Sequence, residues 1–152
     1  MLERIISGGQ TGADRAALDA AIACGFPHGG WCPRGRLAED GPIPELYQLT
    51  ETGDPTYPVR TERNVKHSDG TVILTIGEMG GGSALTADFA RRHRKPWCHL
   101  RLGGTGDAEA VARLRDFIRE HGIRTLNVAG SRGSTEPELY QRCRAIIGEV
   151  LR

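Results

Sequence analysis

Short apolar runs alternate along this chain with longer segments in which apolar positions recur every three or four residues, the pattern of strand, helix, strand units in a mostly parallel sheet. Strands are predicted at Arg4 to Ser7, His28 to Cys32, Thr71 to Ile76, Pro96 to Leu100 and Thr125 to Ala129. The alanine-rich stretch Ala13 to Cys24 predicts a helix that stops at Gly25, because glycine takes the left-handed cap conformation at little steric cost. Val111, Leu114, Phe117 and Ile118 predict another, ended by Gly122. A last helix is predicted from Thr135, where Thr135-x-x-Glu138 fits a capping box with Pro137 in the first turn. It carries Leu139, Cys143, Ile146, Ile147 and Val150 on one face. The expected fold is a Rossmann-like three-layer α/β/α arrangement, with a mostly parallel sheet of about five or more strands and one domain over residues 1–152.

Between Pro33 and Pro58 the rhythm breaks, with Pro42, Pro44 and Pro55 lying among Gly35, Gly41 and Gly53. A long ordered loop is predicted there, with a short strand within Tyr47 to Glu51 and a short helix within Tyr57 to His67. Loops of this length in small domains are commonly functional.

Charge adds one constraint. The 20 basic and 19 acidic side chains leave a net charge of +1, too little to attract nucleic acid or an anionic membrane broadly, so neither is an expected partner and any anion site must be local. Met1-Leu2-Glu3-Arg4 runs directly into Ile5-Ile6 without the form of a signal peptide, and no run approaches about 18 apolar residues, so a cytoplasmic location is expected. Cys24, Cys32, Cys98 and Cys143 form no CxxC pair, and the histidines show no HxH or HExxH spacing. No metal site and no disulfide framework are expected.

The strongest chemical signal is the turn after the first strand, where Gly8, Gly9, Gln10, Thr11 and Gly12 lead into the helix bearing Asp14. Glycines let a phosphate approach the backbone, and the amides and dipole at a helix start favour negative charge. It is neither GxGxxG nor a P-loop. A second such turn, Gly77-Glu78-Met79-Gly80-Gly81-Gly82-Ser83, follows the third strand and leads into a helix starting near Ser83 that presents Ser83 and Thr86, and a third after the fifth strand offers Arg132. In a parallel sheet these loops share the carboxyl edge, where ligands bind. Arg34 and Arg36, after the second strand, suit a phosphate and suit equally a solvated loop. Asp14 is placed to cap its helix or orient a ligand, and Arg15 is spaced to pair with Asp19. Glu39-Asp40-Gly41, Arg60, Thr61, Asn64, Ser68 and Asp69 are candidates for the cleft border, and Cys32 reads as a buried inert thiol. No catalytic residue is assigned.

The run Ile6 to Asp19, followed by Gly30-Trp31-Cys32-Pro33-Arg34-Gly35-Arg36 and Glu39-Asp40-Gly41, resembles the putative molybdenum carrier family. Arg60-Thr61, Asn64-Val65, Ser68-Asp69-Gly70-Thr71, Gly81-Gly82-Ser83 with Thr86, Lys95-Pro96 and Asn127-Val128-Ala129-Gly130 extend the resemblance over nearly the whole chain. It implies a Rossmann-like fold, self-association as a homodimer or homotetramer, and a loop-edge pocket for molybdenum cofactor or a related phosphorylated pterin or nucleotide, held as cargo. The wider superfamily includes lysine decarboxylase-like phosphoribohydrolases carrying PGGxGTxxE. Here Gly80 to Asp88 lacks the motif glutamate, so a binding or carrier protein is expected ahead of an enzyme. The alternatives are a nucleotide-processing hydrolase acting on an N-glycosidic or phosphate bond, with Asp14, Asp88 or Glu78 as acid or base, and a nucleotide-sensing module.

Overall fold

The computed structural model describes all of residues 1–152. Five parallel strands form the central sheet in the order β2-β1-β9-β7-β8: β1 (Arg4–Ile6), β2 (His28–Gly29), β7 (Gly70–Thr75), β8 (Trp97–Arg101) and β9 (Thr125–Gly130). The chain leaves β1 toward one edge and β7 toward the other, and β9 returns between them. The carboxyl ends of β1, β9 and β7 therefore flank the point where strand order reverses, the usual place for a ligand crevice.

Helices α1 (Ala13–Ala23), α4 (Asp107–Glu120) and α5 (Leu139–Val150) cover one face. Their contacts with Val72, Leu74, Leu126 and Val128 form the main core. Ala13, Ala16, Ala17, Ala20 and Ala21 are all buried, and this small-residue face brings α1 close to α5 and β9. Gly130 has φ 155, and a side chain there would strike the Leu74 carbonyl and the first turn of α1. Helices α2 (Tyr57–Lys66) and α3 (Gly81–Arg92) cover the other face, where Val65, Phe89 and Ala90 make a smaller core. On the central strands alternation places Thr71, Ile73 and Thr75 of β7 and Asn127 of β9 opposite the main-core residues, and all four are buried. A buried parallel sheet normally runs apolar on both faces. The polar centre under α2 and α3 marks where the site lies.

Three expectations need correction. The strand predicted over His28 to Cys32 is broken at Gly30, φ 126, into β2 and β3 (Trp31–Cys32). The capping box at Thr135 does not form: α5 begins at Leu139, and Glu136 instead accepts the Ile76 and Gly77 N–H groups at 2.9 and 2.8 Å. Arg15 does not pair with Asp19. It pairs with Asp40 at 3.0 Å, while Asp19 accepts the hydroxyls of Tyr47 and Tyr140.

The proline-rich segment folds as two short pairings, an antiparallel hairpin of β4 (Leu37–Ala38) with β5 (Gly41–Pro42) and a parallel pair of β3 with β6 (Thr50–Glu51). Arg36 organises it, donating to the carbonyls of Ile43, Pro44, Tyr47 and Leu49 at 2.9–3.4 Å.

Candidate functional site

A cleft of about 480 Å³ opens at the carboxyl edge of the sheet. Gln10 reaches it from the loop after β1, Glu78 and Gly80 from the loop after β7, and Ser131, Arg132, Thr135 and Glu136 from the loop after β9. The first two turns of α2 and α3 complete the wall with Tyr57, Arg60 and Thr61 on one and Gly81, Gly82, Ser83 and Thr86 on the other. The three glycine-bearing loops singled out in the sequence thus meet at one place.

Their roles in the architecture differ. In the first loop the donors are largely engaged within the protein. The Gln10 N–H reaches the Asp14 carboxylate at 3.3 Å, the Thr11 N–H reaches Gln10 Oε1 at 3.0 Å, and the Ala13 N–H reaches the Ser131 carbonyl at 3.2 Å. The glycines serve close approach between parts of the chain. A Cβ on Gly8 would lie 2.7 Å from Arg60 Nε, one on Gly9 would press on Leu49 and Ile43, and one on Gly12, φ 82, would strike the Ser131 carbonyl. Thr11 also faces the protein, its hydroxyl bonded to Glu39 and accepting the Gly133 N–H at 3.0 Å.

The start of α3 is open by contrast. Its cap residue Gly80 has no side chain to bond the first amides, and Cβ atoms built on Gly80, Gly81 and Gly82 would meet nothing within 4 Å. The helix therefore presents amides and the positive end of its dipole to the cleft. Arg60 and Arg132 add positive charge beside Tyr57, their guanidinium carbons 5.1 and 5.5 Å from the ring centroid. Thr86 donates its hydroxyl to the Gly82 carbonyl at 2.9 Å.

Two buried donors have no acceptor in the protein: Gln10 Nε2 and Arg60 Nε. Such groups are rare in folded proteins and call for a specific partner. Gln10 is 5% exposed, and its orientation is fixed because Oε1 accepts two backbone N–H groups, from Thr11 and from Glu39. Glu39 in turn ties the loops together: its carboxylate accepts the Ser134 N–H at 3.0 Å, the Ser134 hydroxyl at 2.6 Å and the Thr11 hydroxyl. Burial pushes this carboxyl up, but these hydrogen bonds and Arg132 hold it below its ordinary range. At the cleft floor Asp14 is 6% exposed. Burial raises its pKa, opposed by Arg60, the Gln10 amide and Arg15.

Other sequence candidates fall elsewhere. Arg34 donates to the Gly53 carbonyl at 3.2 Å, and the Arg36 guanidinium is occupied by its four carbonyls, so neither lines the cleft. Asp69 accepts the Arg124 and Thr125 N–H groups at the opposite edge, and Ser68 donates to the Val65 carbonyl. Asn64 clamps β3 to α2 through both backbone groups of Trp31. Among the proposed acids and bases, Asp88 pairs with Arg91 on the outer surface, Glu78 sits at the rim paired with Arg101, and only Asp14 reaches the floor. Burial raises the Cys32 pKa, as suits an inert thiol. Tyr57, Glu136 and Asn127 were not singled out as site residues from sequence. The polar break in β9 at Asn127 is the sequence signal that marks that residue.

Fold and cleft together define a Rossmann-like α/β protein built to bind a small ligand at its strand ends. The chain belongs to the circularly permutated YpsA SLOG family, which it matches over residues 5–151. It is also similar to a putative molybdenum carrier protein from Syntrophus aciditrophicus SB of known crystal structure, at 48% identity and a TM-score of 0.95, covering 99% of this chain and 94% of that one. No curated protein matches it significantly. No helix is long and apolar enough to cross a membrane.

Proposed function

We propose that the cleft seats the phosphate of a small phosphorylated molecule, with molybdenum cofactor or a related pterin or nucleotide as the cargo, and that the protein holds this ligand without turning it over. The observation that carries the proposal is Gln10 Nε2: a buried donor, fixed in orientation and lacking an acceptor, on a residue that lines the cleft together with the open start of α3. An oxyanion answers that arrangement, because it is rich in acceptors and is favoured at a helix N-terminus. Arg60 and Arg132 extend the donor set. The volume lies within the range of small-molecule sites, about 300–1,000 Å³.

The cargo assignment draws on the relative named a putative molybdenum carrier protein. No group of three or more His, Cys, Asp or Glu side chains is suited to hold a metal ion, so the contacts assigned to the protein are those to phosphate and to polar ligand atoms. Self-association as a dimer or tetramer belongs to the same proposal, and sedimentation at micromolar concentration tests it. Mass spectrometry of small molecules released from purified protein tests the cargo. A phosphorylated pterin supports the carrier, a nucleotide supports the alternative cargo, and release of an unphosphorylated ligand contradicts the proposal.

A further inference from the structure

Beneath the cleft floor lies a second cavity of about 20 Å³. Asp14, Arg60, Thr61, Asn64, Thr86 and Asn127 line it, and Asp14, Arg60, Thr61 and Thr86 also line the cleft above. A water molecule needs roughly 10–15 Å³ of such space and two to four polar partners. The recess meets both requirements. Arg60 Nε lies against the backbone of Gly8, buried and with no acceptor in the protein, although Nη1 of the same side chain donates to Thr61 Oγ1 at 2.6 Å. Asp14 supplies the acceptor on the same recess.

Few charges face Asp14. Arg60 approaches from α2 and Arg15 from its own helix, while the amides of Gly8 and Gln10 come from the loop below. Cys143 on α5 is the titratable group behind it, and burial keeps that thiol neutral. Thr86 on α3 and Asn127 on β9 bring no charge. Burial already favours the protonated carboxyl, and Arg60 is the strongest influence favouring the ionised form. An anion in the cleft adds negative charge beside Asp14 and draws on Arg60. Both changes favour the protonated acid.

We propose that the recess is a site for one ordered water bridging Asp14 and Arg60, and that seating an anion in the cleft above it draws a proton onto Asp14. This rests on the reading of the cleft as an anion site. The sign follows from linkage: the complex binds more protons than the free protein, so affinity falls as pH rises through the titration of Asp14. That window lies above the ordinary aspartate value of 3.8. The slope cannot exceed tenfold in affinity per pH unit, the limit for one proton.

Calorimetry with inorganic sulfate, in two buffers of different ionisation enthalpy, reads the proton directly, because sulfate does not itself titrate above about pH 3 and an exchanged proton therefore belongs to the protein. Net uptake of up to about one proton is expected in the wild type, and none in Asp14→Asn. Carboxyl carbon NMR of wild-type Asp14, with and without sulfate, gives the same answer should the variant fail to fold: its apparent pKa should rise with sulfate. Sulfate binding with no proton uptake and an unmoved Asp14 overturns the proposal and leaves the anion cleft standing, as does uptake that persists in folded Asp14→Asn. Failure of sulfate to bind at any pH removes the anion cleft and this inference with it. A high-resolution crystal structure should place a water within hydrogen-bonding reach of Asp14 and Arg60 Nε. A dry recess contradicts the bridge.

Discussion

Gln10 Oε1 accepts the backbone N–H of Glu39 at 2.9 Å, across 29 positions of sequence, and that bond fixes the side-chain amide of a residue that lines the cleft. The proline-rich segment therefore acts on the site without lining it. Arg36 folds the segment, the segment delivers Glu39, and Glu39 orients Gln10 and ties Thr11 to Ser134.

Replacing Gln10 by Glu keeps an oxygen for Thr11 and Glu39 and exchanges the unpartnered donor for an acceptor. Affinity for inorganic phosphate, measured by calorimetry, should fall about tenfold or more, the scale of losing a hydrogen bond to a charged group. Circular dichroism should show the fold retained.

Glu39→Gln tests the tie between the loops. Because the folded carboxyl titrates below its ordinary 4.5, its contribution is present above that pH and lost as pH falls through the folded value. Denaturant unfolding should find the variant about 1–2 kcal/mol less stable at pH 7, with the gap closing below about pH 4.5. A gap that widens on acidification would be the wrong sign.

Gly82→Val separates binding from folding. A Cβ there meets nothing within 4 Å, so the midpoint of thermal unfolding should move little beyond the helix-propensity difference, while the added methyl groups crowd the approach to the α3 amides. Arg132→Ala should likewise weaken phosphate binding and leave the midpoint nearly unchanged, Arg132 being 41% exposed. Unaltered affinity in both variants would return Gly82 to a purely architectural role.

Arg94→Gly should stabilise the protein. Helices α1, α3 and α4 end in the same motif, with Gly25, Arg94 and Gly122 at φ 61, 53 and 58, and the N–H of the following residue reaching back to Ala21, Ala90 and Ile118. Only α3 has a side chain at that position. Removing it should relieve about 1 kcal/mol and raise the melting temperature by roughly 2–4 °C.

Much of the fold follows from local pattern. The strand and helix alternation is visible in the spacing of apolar residues, and Gly25 and Gly122 mark helix ends because glycine takes positive φ at no cost. Arg94 ends α3 against its preference, so no residue type announces that end. The start of α5 is displaced because Glu136 answers two amides 59 and 60 positions away. The convergence of the glycine loops is likewise readable, since parallel topology brings strand ends to one edge. What each loop does there is not. The amides of the first are consumed by Asp14 and Gln10, and Arg36 is drawn off by its carbonyls, through contacts that only the folded chain brings together. Thr71 and Asn127 are the clearest further mark of the site in the sequence: polar residues in strands that topology requires to be buried on both faces.

The most direct test of the anion cleft is a titration of isotope-labelled protein with inorganic phosphate, followed through the backbone and side-chain amide resonances. Saturable shifts are expected at Gly81, Gly82 and Ser83 and at the Gln10 side-chain NH₂, with Asp69 and Arg124 at the far edge unmoved. Shifts confined to the far edge, or none at the start of α3 and at Gln10, would contradict the account.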